Sequence, residues 1–276
     1  MTDNVCALIS VSDLARIYRD DTTVVLDATM GATSTDPHIP GAQIAAIEGP
    51  WSDEESPWPH TRPDRDALEY ELRRLGINAD SRVIVYEHDG LFSAPRIWWL
   101  LRYAGISTAA ILDGGLVAWE AAHLPVTREK TSPRPSGTVK VIPRDEMIID
   151  EHQVRQHVAK KDRQIFDARS TERFQGTVAE PRPGLRSGHI PTSRSLPYTT
   201  VQRNGFMLPE DELHEILEPL LDDRPIVTTC GSGVTACVIA LALNIMGRTD
   251  VAVYDGSWSQ WGREGGPEIE TGPESK

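Results

Sequence analysis

The strongest constraint on this chain is that it repeats itself. Residues 83–119 align with residues 225–261 without a gap, at an offset of 142. V-I-V-Y-E-H-D-G-L-F-S-A falls on P-I-V-T-T-C-G-S-G-V-T-A. Gly105 falls on Gly247, Asp113 on Asp255, Gly114 on Gly256 and Trp119 on Trp261. Upstream, V-V-L-D-A-T (24–29) echoes Q-I-F-D-A-R (164–169), and H-I-P-G-A (38–42) echoes H-I-P-T-S (189–193). Glycines, aspartates and tryptophans staying in step over such a length argue against chance. The chain reads as two copies of one fold.

Each copy alternates short β-branched runs with helical patterns, the signature of βαβ units and a parallel sheet flanked by helices, an α/β fold. In the first copy, Val24–Asp27, Val83–Tyr86 and Ala110–Leu112 read as strands, and Arg65–Leu75 and Ala94–Tyr103 as helices. In the second, Ile165–Asp167, Ile226–Thr229 and Val251–Tyr254 read as strands, and Pro209–Leu221 and Val234–Met246 as helices. Gly76, Gly105 and Gly247 stand where helix C-termini are expected. The expected division is a first domain over 1–126, a Pro- and Ser-rich solvated linker over 127–144, and a second domain over 145–276.

Composition removes several functional classes. The net charge is −13, which disfavours nucleic acid or an anionic membrane as partner, since both need clustered Lys and Arg. It also means that an anionic substrate would require a local positive site. No apolar run reaches the length of a membrane span, and M-T-D-N-V-C-A-L-I-S reads as free of a signal peptide. Three cysteines, Cys6, Cys230 and Cys237, suggest no disulfide framework and favour a reducing, cytoplasmic setting.

Of the three, Cys230 is the one in a chemical position. It ends an apolar run and opens C-G-S-G-V-T-A, which leads into the second copy's long apolar helix. A strand, a glycine-containing loop and a helix N-terminus form an anion cradle, because the first N–H groups of the helix lack intrahelical partners. Gly231 and Gly233 let successive N–H groups converge. Such a position favours the thiolate, the nucleophilic form of cysteine. Cys237 falls inside the helix among Val and Ala and reads as core; Cys6 has no evident role. At the offset of 142, Cys230 corresponds to His88, so the first copy lacks the nucleophile and reads as non-catalytic.

With the D-G-G…W and D-G-S-W signatures, the paired H-I-P segments and the Cys loop, the chain resembles the tandem-domain rhodanese family of sulfurtransferases over nearly its whole length. That resemblance implies two rhodanese-like domains, the second catalytic. Within the family, C-G-S-G-V-T-A is similar to the loop of 3-mercaptopyruvate sulfurtransferases. Thiosulfate sulfurtransferases typically carry basic residues after the cysteine, where this chain has Gly231 and Ser232. The resemblance therefore implies sulfur transfer from 3-mercaptopyruvate, with thiosulfate as the alternative donor. The sulfur would pass through a Cys230 persulfide to an acceptor thiol, such as a small thiol or thioredoxin, or to cyanide. Neither a metal nor an organic cofactor is implied.

The resemblance also assigns further residues. Arg173 in R-F-Q-G and Arg182 in E-P-R-P-G stand where 3-mercaptopyruvate sulfurtransferases hold the substrate carboxylate. Read on residues alone, each is a loop arginine that could equally pair with Glu172 or Glu180; Arg169 and Arg186 read as structural. His60, within the first domain, stands where the family often places a histidine near the loop hydroxyl, here Ser232, with an acid behind it; Glu48 and Asp53 are candidates. The N–H groups of Gly231, Ser232, Gly233, Val234, Thr235 and Ala236 would cover the persulfide sulfur. Two rival readings share part of this logic. A Cys-dependent phosphatase needs an arginine six positions after the cysteine, where this chain has Ala236. A non-enzymatic sulfur carrier would not need the two arginines.

Overall fold

The computed structural model describes residues 6–274; residues 1–5, half of the stretch read as free of a signal peptide, lie outside the described residues. The chain divides into two compact units. The first comprises Met1–Glu54, Arg62–Arg144 and Asn204–Met207, and the second Glu55–Thr61, Asp145–Arg203 and Leu208–Lys276.

The first unit is built on β1 (Leu8–Ile9), α1 (Val11–Ile17), β2 (Thr23–Asp27), β3 (Gln43–Ile44), α2 (Arg65–Arg74), β4 (Arg82–Tyr86), α3 (Ala94–Tyr103), β5 (Ala110–Leu112) and α4 (Gly115–Ala121). Its five strands are all parallel in the order β1-β5-β4-β2-β3. T-V-V-L-D is buried along its whole length, as a parallel strand covered on both faces must be. Leu14, Val25, Ile39, Ile84, Tyr86 and Trp119 form one core cluster. Helix α2 starts where the Asp64 side chain accepts the Ala67 N–H.

The second unit repeats the plan with β6 (Ile148–Ile149), α5 (Glu151–Lys160), β7 (Gln164–Asp167), α6 (Thr171–Gln175), β8 (Arg194–Ser195) and β9 (Gln202–Arg203). Strand β10 (Phe206–Met207) belongs to the first unit, where the Met207 N–H donates to the Asp113 carboxylate. Then follow α7 (Glu210–Leu217), β11 (Ile226–Thr229), α8 (Ala236–Ile245), β12 (Val251–Tyr254) and α9 (Ser257–Trp261). The second five-stranded sheet is again parallel, in the order β6-β12-β11-β7-β8. Helix α8 is apolar on every side, and Ala236 to Leu243 are all buried, so it is an interior helix. Val154, Ile165, Ile190, Val227, Trp258 and Trp261 pack together.

The central elements fall where the sequence put them, with shifts at their ends. The helix expected over Val234–Met246 starts at Ala236, because the loop before it turns through Gly233 at φ +80°. The helix expected over Pro209–Leu221 ends at Leu217 and closes in a 3₁₀ turn over Glu218–Leu220; Pro219 there lacks an N–H for the α-helical ladder. Residues 127–144, expected as a solvated linker, run along the first unit. Gly137 and Val139 N–H groups donate to Arg73 and Ile77 carbonyls, and Val139 and Val141 are buried. Among the described residues, no helix is long and apolar enough to cross a membrane.

One correspondence between the copies is corrected. The Ala28 N–H donates to the Tyr86 carbonyl and the Ala168 N–H to that of Thr229, an offset of 229 − 86 = 143. The Leu116 N–H donates to the Glu87 carbonyl and the Trp258 N–H to that of Cys230. Thus β4 matches β11 at 143, while residue 116 matches 258 at 142. The first copy's loop carries one residue more. The counterpart of Cys230 is Glu87 and not His88; the ungapped alignment ran across that one-residue difference. His88 lies instead with its Nε2 3.3 Å from Asp27 Oδ2.

Because α8 is interior, truncating it is costly. Leu241→Ala is expected to destabilise the protein by about 2–5 kcal/mol, read as a lower thermal midpoint by circular dichroism. A loss below about 1 kcal/mol would mean that α8 is not the packed centre of its unit.

Candidate active site

In the second sheet the chain leaves β7 toward β8 on one side and leaves β11 toward β12 on the other. Adjacent parallel strands whose connections diverge open a crevice at their carboxyl ends. The last registered pair there is Asp167 beside Thr229. Cys230 follows one strand, and the segment carrying Arg169, Arg173, Glu180 and Arg182 follows the other. The topology itself brings the cysteine and the arginines together.

The Cys loop is pinned from one side. The Cys230 carbonyl accepts the Trp258 N–H at 2.9 Å; the Gly231 carbonyl accepts both the N–H and hydroxyl of Ser259, at 2.9 and 2.7 Å. The Cys230 N–H reaches the Ser257 hydroxyl at 3.3 Å, and that hydroxyl donates to the Tyr254 carbonyl. Cys230 is only 2% exposed. Ser257 and Ser259 were missed in the sequence reading, although the signal was there: the D-G-S-W signature turns out to be the brace of the Cys loop. Cys237 is buried in α8 with its thiol on the Gly233 carbonyl, and Cys6 is exposed. Ser232, Gly233, Val234, Thr235 and Ala236 are buried or nearly so.

The arginines form a graded set. Arg169 is fully buried, its guanidinium bonded to Asp167, Glu180 and the Gly188 carbonyl and lying 4.2 Å from the Trp258 ring centroid. Burial works against its charge, but Asp167 and Glu180 outweigh burial and hold its pKa above the ordinary arginine value. Glu180 also accepts from Arg173, at 2.6 Å and 3.2 Å. Arg173 does pair with one of the two carboxylates the sequence offered, and its guanidinium still faces the Cys loop. A Cβ built on Gly231 would lie 3.1 Å from Arg173 Nη2 and 3.7 Å from Arg182 Nη1. Arg182 makes no ion pair among the described residues. Three arginines against Asp167 and Glu180 leave one positive charge beside Gly231. Arg186 is structural: it donates to the carbonyls of Trp261, Gly262 and Pro267 and ties down the C-terminal segment.

His60 lies with its Nδ1 3.0 Å from the Ser232 hydroxyl. Its backbone is left-handed at φ +61°, a conformation that non-glycine residues adopt only when their surroundings impose it. Although the sequence placed it in the first domain, the segment Glu55–Thr61 groups with the second unit. The arrangement thus brings together the Cys230 thiol, a hydroxyl–imidazole pair and a cationic edge, while position 236 holds a buried alanine in place of the arginine a phosphatase would need.

A family model for the rhodanese-like domain matches residues 10–122 and again 150–264. The 3-mercaptopyruvate sulfurtransferase of Escherichia coli K12 is 41% identical over 227 residues, covering 82% of this chain and 80% of that protein. The human 3-mercaptopyruvate sulfurtransferase is 38% identical over 237 residues, covering 84% and 79%. The crystal structure of SseA from Escherichia coli matches with a TM-score of 0.83 and 35% identity, over 91% of this chain and 98% of that one.

The residual positive charge can be measured without any substrate. Arg182→Ala is expected to slow alkylation of Cys230 by iodoacetate about tenfold, with little effect on neutral iodoacetamide, followed by mass on the Cys230 peptide. Equal slowing of both reagents would make Arg182 a support of the loop and remove its electrostatic role.

Proposed function

The chain belongs to the rhodanese family, in two copies of its domain, and from that premise we propose that it is a sulfurtransferase that takes the sulfur of 3-mercaptopyruvate onto Cys230. The observation carrying this reading is the pair of guanidinium groups at Gly231, next to the nucleophile. The substrate is a monocarboxylate, and an arginine fork suits a carboxylate. A side chain at 231 would contest that space. The absence of cations at 231 and 232 therefore favours a carboxylate held by Arg173 and Arg182 over thiosulfate held within the loop.

The chemistry balances without an external oxidant. The Cys230 thiolate attacks the substrate thiol sulfur, an S–S bond forms, and the C–S bond breaks with its electron pair leaving on carbon. Pyruvate departs as its enolate and takes up a proton, for which Ser232 and His60 supply a route. The product on the protein is a Cys230 persulfide. Residues 231–236, at the N-terminus of α8, stabilise its outer sulfur as an anion. An acceptor thiolate then attacks that outer sulfur and regenerates the Cys230 thiolate. The acceptor is a thiol, either a small molecule or a protein such as thioredoxin. Three free cysteines fit a reducing compartment such as the cytoplasm.

Incubation with 3-mercaptopyruvate is expected to add the mass of one sulfur to the intact chain and to release pyruvate. Cys230→Ser is expected to abolish both. A sulfur adduct surviving that substitution would overturn the assignment. In steady-state kinetics, Arg182→Ala is expected to raise KM for 3-mercaptopyruvate about tenfold or more, and to change KM for thiosulfate far less. Equal changes would remove its role in holding the carboxylate.

A further inference from the structure

The first unit holds an anion site that is already filled. Glu87, the counterpart of Cys230, is 4% exposed and directly follows β4. Its side chain folds back over the loop that leads into α3. Oε1 accepts the N–H groups of Phe92 at 2.6 Å, Ser93 at 3.1 Å and Ala94 at 3.1 Å. Oε2 accepts the Ser93 N–H at 3.1 Å and the Ser93 hydroxyl at 2.8 Å. Three consecutive N–H groups and one hydroxyl at the start of a ten-residue helix converge on a single carboxyl group. The Ser93 and Ala94 N–H groups are among those that a helix N-terminus leaves without intrahelical partners, and the Phe92 N–H and Ser93 hydroxyl join them from the loop.

We propose that the loop over residues 88–93 is a complete monoanion cradle and that the Glu87 carboxylate is its resident ligand. Glu87 thus takes, in the non-catalytic unit, the place that a bound anion takes beside a reactive cysteine. At the offset of 142 that holds for α3 and α8, the four donors correspond to the N–H groups of Val234, Thr235 and Ala236 and to the Thr235 hydroxyl. From Cβ, a glutamate carboxylate oxygen is three bonds away and the outer sulfur of a cysteine persulfide is two. The extra residue in the first loop accommodates the longer reach. The unit is consequently closed to external carboxylates and sulfur anions at this loop by its own side chain. Loss of the nucleophile was accompanied by an internal substitute for the anion that the loop geometry demands.

Burial pushes the Glu87 pKa up, and the hydrogen bonds from Phe92, Ser93 and Ala94 pull against it; three of the donors are backbone N–H groups that can only donate, so the ionised carboxylate is the form that completes the cradle. Glu87→Gln has the shape of the neutral acid but lacks the charge, and it turns an NH₂ toward those donors. In the full chain, its amide exchange at Phe92, Ser93 and Ala94 is expected to accelerate by about tenfold or more, with the β4 amides unchanged. Unchanged exchange at all three would overturn the proposal. A second variant, Glu87→Ala, empties the cradle. Its thermal midpoint is expected to fall by several degrees, and sodium formate is expected to restore a larger part of it than sodium chloride at equal ionic strength. Formate raising the wild-type and variant midpoints equally would also overturn the proposal. Should Glu87→Ala fail to fold without formate, folding in formate but not in chloride supports it, and failure in both leaves the exchange measurement on Glu87→Gln to decide.

Discussion

An N–H group at the start of a helix has no partner within that helix, and burial makes the vacancy expensive. Both halves of this chain place such a start directly after the middle strand of a parallel sheet. In the first half a carboxylate answers the need, with four donors on Glu87. In the second half the same strand end carries a cysteine, whose thiolate and persulfide are the anions such a loop favours. The two solutions share a backbone frame: the carbonyl of residue 87 or 230 accepts the N–H of the second residue of a short helix, Leu116 of α4 or Trp258 of α9. The two halves thus differ in the single residue that follows this strand, a glutamate in one and a cysteine in the other, within the same surrounding frame.

The acidic balance of the chain sharpens what the second half had to build. With a net charge of −13, an anionic substrate meets a repulsive field, and the site counters it locally. Asp167 and Glu180 offset two of the three arginine charges and fix Arg169 and Arg173, which leaves the charge of Arg182 over. A bare guanidinium as deeply buried as Arg169 would be prohibitive, so the two carboxylates make its burial tolerable, and Arg169 in turn holds Glu180 where Arg173 needs it. Arg169 never reaches the loop, yet the position of Arg173 depends on it through the shared carboxylate. Arg182, free of that network, is the group most available to a ligand.

The sequence disclosed the central strands, the helices α2, α3, α7 and α8 and the residues at the crevice, because each leaves a local trace. β-Branched runs mark β4 and β11, an unbroken apolar run marks α8, and glycines mark the Cys loop. What stayed hidden was set by contacts distant in sequence. Strands β1, β3, β6 and β8 have two residues each, too few to show a period. Glu180 could be named only as one of two possible partners of Arg173, and its second bond, to Arg169, has no sequence signature. The roles of Ser257 and Ser259 were masked because D-G-S-W reads as a family mark before it reads as a brace. The one-residue shift that moved the counterpart of Cys230 from His88 to Glu87 was invisible to an ungapped match, since the helices kept their own register.

Gly231 shows how far one missing side chain can shape specificity. Its φ lies outside the left-handed region, so backbone strain does not require glycine there. Space favours it: a Cβ would sit 3.1 Å from Arg173 Nη2, which would have to give by a few tenths of an ångström, and 3.7 Å from Arg182 Nη1. A long basic side chain at 231 would supply charge inside the loop but would expel the two guanidiniums that reach it from the other strand. Charge within the loop and charge across the crevice are therefore alternatives at this site. A compact inorganic dianion is served by the first arrangement and an extended monocarboxylate by the second. On the proposed function, the choice between donors rests on whether residue 231 leaves the crevice open, more than on the cysteine, which both arrangements share.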